Sequence, residues 1–176
     1  MDPFHPNVDS PPVSERPLWA PWRIEYITGD RSAGCVFCAA AQGQGDDAAL
    51  VLERGDRCFT MLNAFPYASG HAMVLPYRHV ADLLDLEQDE VGELMRLARR
   101  CIGALRAVMA PAGFNVGLNL GEAAGAGIAE HLHLHIVPRW AGDTNFMPVL
   151  ADTHVIPQAL EATREALTAE LAQLAD

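Results

Sequence analysis

Short apolar stretches separated by polar turns run along much of the chain and predict a sheet. In several of them apolar and polar residues alternate, and Pro, Gly, Asn or Asp residues lie at their ends. Five stretches are expected to form strands, at about 49–54, 57–62, 71–76, 113–120 and 131–138. A loop containing Pro66 and Gly70 separates the second from the third.

A longer pattern between the third and fourth predicted strands indicates a helix. Pro111 and Gly113 end this pattern. Its apolar residues recur at spacings of three and four, which places them on one helical face: Val91, Leu94, Met95, Ala98, Cys101, Ile102, Leu105, Val108 and Met109. A second helix is expected from about Pro157, a proline suited to a first helical turn, to Leu174. This order of elements predicts an α+β fold with a mostly antiparallel five-stranded sheet, one long helix and a C-terminal helix.

The chain length fits one domain preceded by a short arm. Its 176 residues can bury one substantial core but are few for two. Residues 1–16 are rich in Pro, Ser and Asp, which predicts a flexible N-terminal arm. Residues 17–176 are then expected to form a single domain that includes the C-terminal helix. The aromatic segment 18–27 is expected to pack on that domain or on a second subunit.

Composition and charge narrow the classes of partner. Twelve Lys and Arg against 23 Asp and Glu give a net charge of −11. Such acidity argues against nucleic acid or an anionic membrane as the main partner, since both require a positive surface. No apolar run approaches the roughly 18 residues of a membrane span, and the N-terminus lacks a secretory pattern. A cytoplasmic location is therefore expected, where four cysteines are more often thiols or metal ligands than disulfides.

Three alternating histidines are the most specific chemical feature of the chain. In a strand, His131, His133 and His135 would share one face, about 6–7 Å apart for a rise of roughly 3.3 Å per residue. Neighbouring imidazoles disfavour one another's protonation, so some must be neutral near pH 7. A neutral imidazole is both a nucleophile and a metal ligand. The pattern thus indicates a reactive or metal-binding site.

The preceding predicted strand complements the histidines. Val116, Leu118 and Leu120 alternate with small and polar residues, so that the two sets occupy opposite faces. If the two strands pair, the glycines of the second set leave room for a ligand and the asparagines can hydrogen-bond to it: Asn115, Gly117, Asn119 and Gly121. The following loop, 121–128, is rich in glycine and alanine, and its amide groups can turn toward a phosphate.

These residues resemble the histidine triad family. The run His131-Leu-His-Leu-His-Ile-Val137 matches the motif of three histidines alternating with apolar residues. Its flanks at 125–140, the pair Asn145-Phe146 and the segment 19–26 are similar to the branch that contains bacterial diadenosine tetraphosphate phosphorylase-like proteins. The block 62–79 resembles the first half of the family domain. The resemblance covers about residues 18–150.

The resemblance implies a fold, a reaction and a set of site residues. It implies a homodimer whose sheets join, acting at the α-phosphate of a nucleotide or dinucleoside polyphosphate, with orthophosphate as a candidate second substrate. His133 would attack phosphorus and carry the nucleotide covalently, while His135 and the triad member His131 complete the catalytic set. The residues implied to bind nucleotide are Asn63 at the ribose, Asn119 near the phosphate, and the loop positions Gly125, Gly127 and Ile128.

A second implied site is metallic. Cys35 and Cys38 have the two-residue spacing of metal ligands, and together with His79 and His131 they resemble the Cys2His2 zinc site of some family members. A structural zinc there would fix the N-terminal segment beside the triad. With His131 as a ligand, the nucleophile would be His133.

Several alternatives stay open. The chain has His135 where the transferase-like branch has Gln, and 126–128 reads Ala-Gly-Ile where many relatives carry a Gln-Ser or Gln-Thr pair. These departures leave phosphorolysis and hydrolysis both open. A nucleoside phosphoramidase or adenylyl-lysine hydrolase would use the same His133. Two other classes are an enzyme whose three histidines hold one catalytic metal, and a nucleotide sensor without turnover.

Overall fold

A computed structural model of the chain describes residues 34–43, 45–46, 49–143 and 159–174. The predicted arm 1–16, the aromatic segment 18–27, Asn145-Phe146 and Pro157 lie outside these residues. The helices and strands are α1 (Val36–Ala41), β1 (Val51–Arg54), β2 (Cys58–Leu62), β3 (Ala72–Pro76), α2 (Gln88–Met109), β4 (Gly113–Leu118), β5 (Leu134–Arg139) and α3 (Leu160–Leu171).

The five strands form one antiparallel sheet in the order β1-β2-β3-β5-β4. The predicted α+β class and five-stranded sheet are confirmed. The main difference lies in β5, which begins at Leu134, whereas the strand was predicted from residue 131. His131 and His133 therefore precede the regular strand. Because β5 lies between β3 and β4, its side chains are enclosed by neighbours on both sides.

The long helix α2 covers one face of the sheet. Glu87 and Glu90 form a capping box at its start, and the helix ends where Ala110 adopts a left-handed conformation before Pro111. Its buried stripe joins β2, β3 and β5 in the main core through Leu94, Leu97, Ala98, Cys101, Ala104 and Leu105. Met95 was expected on this stripe, but half of its surface is exposed. The 3.6-residue period places it beside the stripe rather than on it.

The C-terminal helix α3 completes the same core. It packs on α2 and β1 and buries Leu167 and Leu171. The carbonyls of Leu171, the last helical residue, and of Leu174 just beyond it accept hydrogen bonds of 3.0 and 3.1 Å from the Arg100 guanidinium, which also pairs with Glu53 at 2.7 Å. A cation suits a helix C-terminus, where the carbonyl groups lack partners.

Among the described residues, fewer pack on the opposite face of the sheet. A smaller apolar cluster there combines alternate residues of β1, β2 and β3 with the six-residue helix α1: Phe37, Ala40, Val51, Phe59, Met61, Met73 and Leu75. The alternation of β-strand side chains separates these residues from the main core. Within the described residues, no helix is long and apolar enough to span a membrane.

Candidate active site

Strand pairing fixes the position of the third triad histidine. His135 lies opposite Met73 of β3 on one side and Gly117 of β4 on the other. The Asn/Gly strand does pair with the histidine strand, which is the condition under which its glycines lie beside the histidines, and a residue without a side chain lies beside the imidazole. The rings of His133 and His135 are 4.7 Å apart between centroids. These two histidines form one compact pair.

A backbone hydrogen bond fixes the tautomer of His133. Its Nδ1 lies 2.8 Å from the carbonyl oxygen of His131. A carbonyl can only accept, so Nδ1 carries the proton and donates. In the neutral ring the lone pair is then on Nε2. This tautomer is the one that a nucleophilic role of Nε2 would require.

A histidine outside the triad fixes His135 in the opposite tautomer. The backbone N–H of Tyr67 donates to His71 Nδ1 at 3.1 Å, so the proton of His71 is on Nε2. His71 Nε2 lies 3.0 Å from His135 Nδ1 and donates to it. In neutral His135 the proton is then on Nε2, which makes this nitrogen a hydrogen-bond donor. The two triad rings therefore offer complementary groups.

The contact of His71 with His135 was not predicted from the sequence. His71 is fully buried. It immediately precedes β3, which is the strand that pairs with β5. The two histidines are 64 positions apart in sequence. Their contact depends on the register between β3 and β5, and the local sequence around neither histidine indicates that register. A histidine at the start of an otherwise apolar strand was the available signal.

A cavity of about 520 Å³ opens beside this histidine pair. Its walls are mostly apolar, as in small-molecule sites. It is lined by Val36, Phe37, Ala39, Ala40, Gly45, Ala49, Met61, Asn63, Ala64, Phe65, Tyr67, Met73, Gly127, Ile128, His133 and His135.

Most of the residues predicted to bind nucleotide line this cavity. Asn63, Gly127 and Ile128 line it together with His133 and His135, whereas Asn119 and Gly125 do not. The side-chain oxygen of Asn63 accepts from the N–H of Phe65 at 2.9 Å, which fixes the orientation of its amide.

The glycine-rich loop reaches the cavity by a defined path. A short 3-10 turn at Glu122–Ala124 is bounded by two glycines, and Gly125 has a left-handed φ of 86°. This conformation favours glycine because a Cβ would be strained there. The loop therefore contains a defined turn, and Gly127 and Ile128, which follow the turn, line the cavity.

The first triad histidine belongs to a different cluster. One ligand atom from each of Cys35, Cys38, His79 and His131 lies within 4.8 Å of the others. The nearest contacts are Cys38 Sγ to His79 Nδ1 at 3.2 Å and Cys35 Sγ to His131 Nδ1 at 3.5 Å. The four predicted metal ligands thus come together, and His131 lies with them rather than with the His133–His135 pair.

The hydrogen bonds of His131 prepare it as a ligand. Its Nε2 donates to the carbonyl oxygen of Pro76 at 3.0 Å, which leaves the lone pair on Nδ1 among the sulfur atoms. Burial lowers the pKa of His131, and the neighbouring His79 and His133 lower it further. Burial also raises the pKa of the Cys38 thiol. Two thiols and two imidazoles at these separations could hold a metal ion.

Comparisons with known proteins agree with this geometry. A family model described as HIT domain matches residues 44–142. The AP-4-A phosphorylase of Mycobacterium tuberculosis is 42% identical over 164 residues, which cover 89% of this chain and 84% of that protein. The crystal structure of a Zn-bound histidine triad family protein from Mycobacterium smegmatis has a TM-score of 0.65 and 31% identity, covering 81% of this chain and 96% of that chain.

A more distant structure shows the same fold. It is a hypothetical histidine triad nucleotide-binding protein from Sulfolobus tokodaii, with a TM-score of 0.64 and 21% identity over 79% of this chain and 93% of that chain.

Sheet, triad and family model together define the class: the chain belongs to the histidine triad (HIT) family. Within that family it is similar over most of its length to the mycobacterial AP-4-A phosphorylase. The family predicted from the sequence is thereby confirmed, as is the prediction of a HIT-family enzyme.

Proposed function

We propose that this enzyme is a diadenosine tetraphosphate phosphorylase that works through a covalent nucleotidyl group on His133. The observation that carries the proposal is the 2.8 Å bond from His133 Nδ1 to the His131 carbonyl, because it leaves the Nε2 lone pair on a ring that lines the cavity. The 42% identity to an AP-4-A phosphorylase supports the choice of substrate.

The proposed reaction has two displacements. His133 Nε2 forms a bond to the α-phosphorus of diadenosine tetraphosphate while the bond to the bridging oxygen breaks, and ATP leaves with that oxygen. An oxygen of orthophosphate then attacks the same phosphorus, the P–N bond breaks, and ADP is released. His133 regains its lone pair. Water in place of orthophosphate would give AMP, which is the hydrolase alternative.

The neighbouring residues have roles that follow from their hydrogen bonds. His135 Nε2–H would donate to a phosphate oxygen as negative charge grows there, and the backbone near Gly127 and Ile128 would assist. Asn63 would contact the ribose. The apolar wall formed by α1, Met61 and Met73 would hold the base. The assignments of Asn119 and Gly125 stay predictions from the resemblance.

We further propose that the Cys35, Cys38, His79 and His131 site holds a structural zinc ion. The donor atoms, their separations and the tautomer of His131 support it, and a similar structure from Mycobacterium smegmatis is described as Zn-bound. Zinc would supply four bonds that fasten α1 to the segment carrying the triad. Its thiolate ligands require a reducing compartment, in keeping with the expected cytoplasmic location.

A homodimer is the assembly that we infer from the sheet edge. Among the described strands β4 is an outer one, and Val116 within it and Leu120 just after it are 46% and 41% exposed. An outer strand with exposed apolar side chains favours pairing with another strand. Pairing of two β4 edges would join the two sheets, as the family resemblance implies. Light scattering should give twice the chain mass.

The reaction is tested by its products. The purified protein is incubated with diadenosine tetraphosphate, with and without orthophosphate, and the nucleotides are separated by chromatography. ATP plus ADP, formed only with phosphate, is the expected result. ATP plus AMP without phosphate would establish the hydrolase instead, and no product from this substrate would overturn the proposal and favour the phosphoramidase or the sensor.

A further inference from the structure

One aromatic ring lies between the cysteine–histidine cluster and the cavity. Phe37 lies between Cys35 and Cys38 in sequence and is buried. Its ring is 5.5 Å from that of His131, edge-on at 78°, and 5.1 Å from that of His133. It also lines the cavity. The same side chain therefore contacts a predicted metal ligand, the predicted nucleophile and the space where a nucleotide would bind.

The helix that carries Phe37 depends on contacts at its two ends. α1 has only six residues, and helices this short are not stable alone. At its C-terminal end, the Arg54 guanidinium donates to the carbonyls of Ala40 and Ala41 at 2.6 and 3.2 Å. At its N-terminal end, Cys35 provides no side-chain cap. The Sγ atoms of Cys35 and Cys38 contact His131 and His79 at 3.5 and 3.2 Å, which joins this end to the segments that carry those histidines.

The position of α1 determines one wall of the cavity. The helix contributes Val36, Phe37, Ala39 and Ala40 to the lining. Metal bonds to Cys35 and Cys38 would hold this wall in place, and their loss would free the N-terminal end of α1. If nucleotide binding must also order this wall, the entropy cost of that ordering lowers the affinity for the nucleotide.

We propose that Phe37 is a positioning residue that couples metal occupancy of the cysteine–histidine cluster to nucleotide binding in the cavity. The inference rests on the zinc and nucleotide sites proposed above. Phe37 packs against His131 on the metal side and His133 on the nucleotide side. Occupancy of one site therefore favours the ring position that the other requires. Coupling of this kind is reciprocal: the factor by which zinc strengthens nucleotide binding is the factor by which nucleotide strengthens zinc binding.

The test compares two variants with the same chemical change. Phe37→Leu removes the bridging ring. Phe59→Leu is the matched control, because Phe59 belongs to the same apolar cluster, stacks on Tyr77 and does not line the cavity. AMP affinity is measured by calorimetry for the zinc-loaded and zinc-depleted forms of each protein. Zinc affinity is measured by competition with a chelator, with and without saturating AMP.

We expect zinc removal to weaken AMP binding about tenfold in the wild type and in Phe59→Leu, and AMP to strengthen zinc binding by the same factor. In Phe37→Leu both factors should fall below about twofold. Equal AMP affinity with and without zinc in the wild type would overturn the coupling alone. A full coupling factor in Phe37→Leu would overturn the role of Phe37. Unfolding of the whole domain on zinc removal would give this same result, because AMP binding would then be lost in every variant. Failure of the loaded wild type to bind AMP would overturn the proposed function as well.

Discussion

The two faces of the sheet are built differently, although they share the same strands. One face is covered by the 22-residue helix α2 and by α3, with a large core that includes Leu97, Leu105 and Ile136. The other is covered by the six-residue helix α1 and a glycine-containing loop, and it carries the cavity and the cysteine–histidine cluster. The core of the first face is mostly apolar, whereas the second face brings several titratable side chains together around one cavity.

The difference indicates how stability and chemistry are divided. Long amphipathic helices bury enough apolar surface to stabilise the fold. Short elements leave space for a ligand, and they depend on specific hydrogen bonds, on Arg54 and on the cysteine–histidine cluster for their position. Changes on the helical face should therefore alter stability, and changes on the cavity face should alter activity.

The largest effect on the cavity face is expected from His133→Ala. Removal of the nucleophile should lower kcat by about 10⁴-fold or more. The circular dichroism spectrum and the zinc content should stay unchanged, because His133 is outside the cysteine–histidine cluster. Normal turnover in this variant would show that another residue attacks phosphorus.

On the helical face, Leu97→Ala should lower stability and leave activity unchanged. Leu97 is buried in the main core, so the truncation should lower the free energy of unfolding by about 2–4 kcal/mol. Denaturant titration measures this loss. The activity of the remaining folded protein should be that of the wild type, and a large loss of kcat at full folding would contradict the division between the faces.

His71→Leu tests a contact that lies within the sheet itself. The change keeps a buried side chain of similar size but removes the nitrogen that donates to His135 Nδ1. With the tautomer of His135 no longer fixed, kcat should fall by about 10²-fold, more than any fall in AMP affinity. Steady-state kinetics and calorimetry measure the two effects. An equal loss of both would indicate a general packing defect.

The smallest effect is expected at the start of α2. The hydrogen bond from Arg78 lowers the pKa of Glu90, and the backbone N–H of Glu87 lowers it further. A lowered folded pKa gives stability that is present above the unfolded pKa and is lost as pH falls through the folded pKa. Because Arg78 is 47% exposed, solvent screens the pair. Glu90→Gln should therefore cost only about 1 kcal/mol at pH 7.

The same variant has a diagnostic pH dependence. Its deficit relative to the wild type should shrink as the medium becomes acidic enough to protonate Glu90. Urea titrations across acidic pH measure this trend. A deficit that is constant at all pH values would mean that the carboxylate charge contributes nothing.

Local patterns predicted the fold well because its elements are local. The period of α2 and the alternation in the strands are properties of neighbouring residues, and both were read correctly. Met95 and the start of β5 at Leu134 were missed because they depend on packing around each element. The complementary faces of β4 and β5 were read from the sequence, whereas their pairing was only a condition there and is given by the structure.

The site was predicted only in part. The triad and Cys35-x-x-Cys38 have recognisable spacings, and the family resemblance supplied His79 as their partner. The separation of His131 from His133 into two clusters depends on hydrogen bonds to Pro76 and to the backbone of His131 itself. The roles of His71 and Phe37 depend on contacts between distant segments, which no local pattern contains.

The most direct test of the account is to trap the intermediate. Zinc-loaded wild-type protein is mixed with diadenosine tetraphosphate in phosphate-free buffer, quenched without acid and digested for mass spectrometry. We expect one adenylyl group per chain, located on His133, which disappears with formation of ADP when orthophosphate is added. An adduct on His135, or ATP and ADP formed by protein that never carries an adduct, would contradict the account.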